Sequence, residues 1–191
     1  MWEWKLAFKV TQVPCLKDML TYMSILQMVD SYLGNRLFRL PPSVQSDPTV
    51  RRIIVTREVL DAVDINFPDN YDGIRLSNLR ETLDAFTIGE RISVGENPFK
   101  KPSNCFLARV DPVALEVFDI RSLVGPGIRC FGFFLDKNYF AALTWDYREN
   151  IESFSGEAKR CAHEWGQMFG SLEPFSKGKR VDEYLTRFQA F

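Results

Sequence analysis

The sequence predicts an α+β fold: a small antiparallel β-sheet, built as a meander, with helices packed on it and an N-terminal strand–helix extension. Three observations carry this reading. Apolar or alternating runs between residues 112 and 146 are joined by the short turns Gly125-Pro126-Gly127 and Asp136-Lys137-Asn138, the pattern of successive hairpins. A helical stripe follows in Ala158, Cys161, Ala162, Trp165 and Phe169. Three prolines between positions 41 and 48 deny that stretch regular hydrogen bonding, and they divide residues 1–50 from 51–191.

Composition sets the class. The chain has 191 residues, 46% hydrophobic and 26% charged, which excludes a disordered or collagen-like polymer. Its 24 basic and 25 acidic residues give a formal charge of −1. Binding nucleic acid through bulk positive charge is thereby excluded, and a local basic site stays open.

Residues 2–11 alternate, with Trp2, Trp4, Leu6, Phe8 and Val10 on one face, which predicts a half-buried strand. Leu16, Met19, Leu20, Met23, Leu26, Val29 and Leu33 then recur at helical spacing, and Gly34 is placed to end that helix. Arg51 to Thr56 is a short β-rich run, and Thr56 is positioned to cap a helix starting at Arg57. Residues 64–104 are less regular, with one short helix over Ser77–Phe86. Ala114–Ile120, Ile128–Leu135 and Tyr139–Trp145 are the meander strands. Helices are expected near 156–169, ended by Gly170, and over 181–191. Helices on one side of an antiparallel sheet is the expected arrangement.

Targeting and metal signals are weak. Trp2-Glu3-Trp4 stands where a secretory leader would carry basic residues, and the most apolar stretch, Leu16–Leu33, holds Asp18, Gln27 and Asp30. A cytoplasmic protein with no membrane span is expected. Cys15, Cys105, Cys130 and Cys161 show no zinc-ligand spacing, and His163 is the single histidine, so buried reduced thiols and no metal are expected. Phosphate-loop, dinucleotide and nucleophile-elbow motifs are absent.

A basic and aromatic constellation remains. Arg121, Arg129 and Arg148 stand at strand ends of the expected meander, where turns bring strand ends together. Guanidinium forks match phosphate oxygens, and Tyr147 adds a stacking face and a phenolic proton. Lys100-Lys101-Pro102 reads as an exposed basic loop. The same arginines have another use open to them, surface pairing with Glu116, Asp119 and Asp146.

Glu116-Val117-Phe118-Asp119-Ile120-Arg121, then Gly127-Ile128-Arg129-Cys130-Phe131-Gly132-Phe133-Phe134, then Ala141-Ala142-Leu143-Thr144-Trp145 with Tyr147-Arg148, resembles the RelE/ParE toxin superfamily, especially its HigB-like and phage-derived branch. The resemblance covers about residues 100–170. It implies a RelE-like α+β domain over 51–191 and a toxin of a toxin–antitoxin pair, acting as a metal-independent endoribonuclease on ribosome-bound mRNA and held by an antitoxin protein. Arg121, Arg129, Arg148 and Tyr147 would be its catalytic residues and Lys100 and Lys101 its RNA contacts, with no cofactor. The RNA 2′-hydroxyl would attack the adjacent phosphate while arginines stabilise the developing charge. Two other readings share the fold: a non-catalytic binding protein and a gyrase-poisoning toxin.

Overall fold

The computed structural model describes residues 25–64, 66–125 and 127–191. The expected strand over 2–11 and the first part of the 16–33 helix lie outside the described residues. Residues 25–32 are helical (α1), and Gly34 follows in the left-handed conformation, φ 81°, as its position predicts.

An eight-stranded mixed sheet organises the chain. Its strands are β1 (Leu37–Arg39), β2 (Arg52–Thr56), β3 (Ile92–Gly95), β4 (Leu107–Arg109), β5 (Phe118–Ser122), β6 (Ile128–Asp136), β7 (Tyr139–Tyr147) and β8 (Phe188–Ala190), in the spatial order β1-β2-β7-β6-β5-β4-β3-β8. The helices are α2 (Arg57–Ala62), α3 (Tyr71–Ile88), α4 (Phe154–Phe169) and the short α5 (Val181–Tyr184).

The α+β class is as expected, and β5, β6 and β7 are successive antiparallel neighbours. The sheet around them is larger than a small antiparallel meander. It includes the parallel pairs β2–β7, β3–β4 and β3–β8. Helices cover both faces, where one was expected. Leu79, Leu83 and Phe86 of α3 join Phe118, Ile120 and Phe134 in one core. Ala158, Cys161, Trp165 and Phe169 of α4 join Phe131, Phe133 and Leu143 in the other, with Ile25 and Val29 of α1. The reason is in β6: Phe131 and Phe133 point one way and Phe134 the other, so neither face tolerates water. Register slips between Phe131 and Gly132, where a Cβ on Gly132 would sit 1.9 Å from the Ala141 carbonyl oxygen.

Local signals explain most boundaries. Thr56 Oγ1 accepts from Val59 N–H at 3.4 Å, capping α2 as expected. Asn70 accepts from Gly73 N–H at 2.9 Å, so α3 starts well before Ser77, and Gly89 ends it at φ 82°. Ser153 caps α4. The expected strand over 114–120 starts late, because residues Val113–Leu115 make a 3₁₀ turn and Glu116 is left-handed. Within 181–191, Arg187 at φ 56° turns the chain from α5 into β8, so the expected last helix is mostly extended.

The boundary read at residue 50 falls between hydrogen-bonded neighbours. Phe38 of β1 is registered with Val55 of β2, and Ile25, Val29, Leu37 and Leu40 are buried in the two cores. The described part of residues 1–50 is therefore built into the same sheet, and the proline-rich stretch is a bend within the fold.

Arg51 begins this sheet from inside. It is wholly buried, and its Nη1 donates to the Phe86 carbonyl at 3.0 Å. Its Nη2 faces the carbonyls of Glu90, Thr186 and Arg187 at 2.9, 2.7 and 3.1 Å. One guanidinium thus ties the end of α3 to the approach of β8.

Candidate functional site

Strand register assembles the basic residues. In β5, Phe118 and Ile120 fill the α3-side core, so Asp119 and Arg121 face the α4 side. Arg121 lies directly opposite Arg129 of β6, and Arg129 lies opposite Asp146 of β7. Two like charges in register repel unless an acid stands between them. Asp119 is that acid. Arg121 Nε donates to Asp119 Oδ2 at 2.9 Å, and Arg129 Nε lies 3.6 Å from the same oxygen.

The loop 96–106 between β3 and β4 closes over this group. Arg121 Nη1 also faces the Ser103 carbonyl at 3.4 Å and Cys105 Sγ at 3.2 Å. The Lys101 stem lies over Gly95, where an added Cβ would come within 2.6 Å of it, and Lys101 Nζ donates to the Arg109 carbonyl at 2.7 Å. Gly95 therefore makes room for Lys101.

The result is a cationic cluster with one buried counter-charge. Asp119 is completely buried, and the Arg121 and Arg129 side chains are 7% and 12% exposed. Burial pushes the Asp119 carboxyl up from its ordinary value against the opposing pull of Arg121, Lys101 and Arg129. Burial also pulls Arg129 and Lys101 down, with Asp119 opposing in both. Arg148 is near enough to lower Arg129 further. Asp146 forms no ion pair with the cluster among the described residues; its Oδ1 accepts from Tyr147 N–H at 2.7 Å and from Asn150 Nδ2 at 3.2 Å.

Three buried polar atoms of the cluster have no hydrogen-bond partner among the described residues: Arg129 Nε, Arg129 Nη1 and Asp119 Oδ1. Such an atom costs about 1–3 kcal/mol when left unsatisfied. Two donors of Arg129 and one acceptor of Asp119 are thus left open within the cluster among the described residues.

The expected site residues separate into three groups. Arg121, Arg129 and Lys101 come together, with Arg121 pinned by Asp119. Arg148 is exposed at their edge, its guanidinium 4.8 Å from the Phe154 ring centroid. Tyr147 lies on the opposite face: its ring packs toward the α3-side core, 3.9 Å from the Arg75 guanidinium carbon. Burial and then Asp72 raise its phenol. Tyr147 therefore does not share a working face with Arg121 and Arg129. Lys100 is exposed on the loop, as expected, whereas Lys101 is folded in.

The pairing alternative is met for Asp119, inside the protein, while Glu116 pairs with Arg109 at 3.2 Å. Asp119 is the residue that sequence reasoning undervalued. The signal was present in Asp119-Ile120-Arg121, because a period of two puts acid and base on one face. Among the described residues there is no group of three His, Cys, Asp or Glu side chains able to hold a metal, and no helix long and apolar enough to cross a membrane. No protein family, curated protein or solved structure matches the chain.

Proposed function

We propose that this protein is a non-catalytic RNA-binding module that takes RNA phosphate at Arg129, with Arg148 at the mouth of the site. The observation that carries the reading is the orphaned pair Arg129 Nε and Nη1, set among Lys101, Arg121 and Arg148 with Asp119 as the nearest acid. Each open guanidinium donor can take a phosphate oxygen, and such charge-assisted bonds are about twice as strong as neutral ones.

RNA is favoured over a free ion by what surrounds the seat. Arg148 N–H donates to the Gly127 carbonyl, and the Tyr71 hydroxyl reaches the Gly125 carbonyl at 3.4 Å. The 56% exposed Tyr71 ring shares Arg75 with Tyr147 on the α3 side of this turn, and the Arg148 guanidinium lies by Phe154 on the α4 side. A single strand that passes over the strand ends would meet the charge first and the exposed ring beyond it. The resemblance to RNA-cleaving toxins points to the same ligand class.

Binding is favoured over cleavage because Arg121 is engaged by Asp119 and Tyr147 faces away. Proton transfer at a reacting phosphate needs a group within hydrogen-bond reach. The test is fluorescence anisotropy with a labelled mixed-sequence single-stranded RNA in about 50 mM salt, with RNA length followed on a denaturing gel. Saturable binding to RNA that stays intact is expected, weakened roughly 10-fold by Arg148→Ala and roughly 10- to 100-fold by Arg129→Gln. Absence of binding overturns the reading. Arg129-dependent shortening of the RNA replaces it with the nuclease reading of the same residues.

A further inference from the structure

We infer that the cavity between α1 and the β1–β2–β7 corner of the sheet binds an aliphatic monocarboxylate, its chain against α1 and Ile54 and its carboxylate at Arg39. The inference goes beyond the proposed RNA binding and concerns a separate place. Tyr139 and Arg129 stand near opposite ends of the β6–β7 hairpin, about 20 Å apart along the strands.

Strand register builds the site. Arg39 of β1 lies opposite Ile54 of β2, and Arg52 of β2 lies opposite Tyr139 of β7. Alternation puts all four on the face that carries Leu37 and Ala141, where Val29 of α1 packs. A cavity of about 420 Å³ is left between these elements. Leu26, Val29, Leu40, Ile53 and Ile54 give it aliphatic walls. Its rim is polar and open to solvent, with Asp30, Arg39 and Arg52 all exposed. An apolar recess with a few convergent polar groups is the usual form of a small-molecule site.

The walls select the body of the ligand. A cavity of about 150 Å³ holds one benzene ring, so this one has room for roughly ten to sixteen carbons. Tyr139 is the one aromatic side chain of the lining among the described residues, and the Arg52 guanidinium covers its ring, 4.1 Å from the centroid. A nucleobase needs a free aromatic face to stack on. Branched aliphatic walls instead suit an alkyl chain, which gains by leaving water and needs no partner of its own.

The rim selects the head. Arg52 is engaged by Asp136 at 3.6 Å, whereas the Arg39 guanidinium has no ion pair or hydrogen bond among the described residues. A singly charged head is matched by Arg39. A doubly charged phosphate would meet Asp30 and Asp136 with one open cation. The two oxygens of a carboxylate fit the guanidinium fork. Burial raises the Tyr139 phenol against Arg52 and Arg39, with Asp30 adding to the rise, so the hydroxyl keeps its proton as a further donor in this rim.

The experiment is calorimetric titration of the full chain with decanoate, below the concentration at which it forms micelles. One saturable site is expected. Arg39→Gln, at an exposed position, should weaken binding about 10-fold at an unchanged melting temperature. The alcohol 1-decanol should bind at least about 10-fold more weakly than decanoate, and acetate should not displace it. Equal binding of decanol, or an affinity unaffected by Arg39→Gln, overturns the assignment of the head. Displacement of decanoate by an equal concentration of acetate or of adenosine 5′-monophosphate overturns the assignment of the body. Absence of saturable decanoate binding overturns the inference outright. The comparison of decanoate, decanol and acetate on the wild-type chain decides the matter even if Arg39→Gln does not fold.

Discussion

Arg51 and Arg129 are both arginines in the interior of one sheet, and they are treated in opposite ways. Around Arg51 the chain brings four carbonyls, from Phe86 and Glu90 at the end of α3 and from Thr186 and Arg187 before β8. The helix end contributes the negative pole of its dipole, and only Nε of that guanidinium lacks a partner among the described residues. Desolvation and then Arg187 bring Arg51 down to about 10, so it stays charged at neutral pH. Around Arg129 the chain brings one shared carboxylate at 3.6 Å and three further cations, and among the described residues Nε and Nη1 have no hydrogen bond. A buried charge serves the fold when its hydrogen bonds close inside the protein. Where they stay open among the described residues, beside like charges, donors are left that the proposed RNA phosphate would meet.

The largest expected effect asks whether the Arg51 end stands without β1. A chain starting at Val50 keeps Arg51 and Arg129 but loses Ile25, Val29, Leu37 and Leu40. At about 2 kcal/mol for each buried side chain, the loss of about 8 kcal/mol approaches a typical domain's whole stability. The truncated protein should be molten or insoluble, read by near-ultraviolet dichroism. A cooperative melt near that of the full chain would restore the boundary at residue 50.

Arg51→Met comes next. It removes a donor from four carbonyls, of which Phe86 keeps the Gly89 N–H and Arg187 the Ile92 N–H while Glu90 and Thr186 lose their charged partner, and should cost about 3 kcal/mol in urea unfolding. It should also loosen the attachment of β8, read as faster amide exchange at Ile92 and Val94, which pair with β8. Arg129→Gln, by contrast, should cost clearly less than Arg51→Met, because it gives up one 3.6 Å ion pair to Asp119, which Arg121 still holds at 2.9 Å, and no closed hydrogen bond among the described residues. A loss as large as that of Arg51→Met would make Arg129 a structural arginine and erase the contrast.

A third arginine sharpens the comparison at the small end. Arg75 donates to both oxygens of Glu149, at 2.6 and 2.8 Å, and those bonds hold the Glu149 carboxyl below its ordinary range. A depressed folded value means that the stabilisation is present above the unfolded value of about 4.3 and is lost as pH falls through the lower folded value. The stability difference between wild type and Glu149→Gln should therefore be measurable at pH 7 and shrink below about pH 4. A difference that grows with acid would show that the clamp is not what stabilises this corner.

Legibility in the sequence followed the range of the interaction. Thr56 as a cap, Gly34 after α1, the turn Asp136-Lys137-Asn138 and the stripe with Trp165 and Phe169 are all set by neighbours a few residues away, and each reads correctly. The strands Ile92–Gly95, Leu107–Arg109 and Phe188–Ala190 do not announce themselves, because each has only three or four residues and the pairing of Ile92 with Phe188 joins distant parts of the chain. The cap at Asn70 was legible in principle but hidden by the turn signals around Pro68 and Gly73. At the site, residue classes pointed to Arg121 and Arg129, and register then brought them face to face. Tyr147 was misplaced by proximity in sequence: next to Arg148, it points to the other face, as strand alternation requires.

The most direct test of the central claim watches the two arginines at once. In an arginine-labelled sample, the Nε–H correlations of Arg51 and Arg129 are followed by nuclear magnetic resonance as single-stranded RNA is added. The account predicts a saturable shift of Arg129 Nε–H, loss of that signal in Arg129→Gln, and an Arg51 signal that stays in place throughout. RNA that binds while Arg129 Nε–H does not move would contradict it.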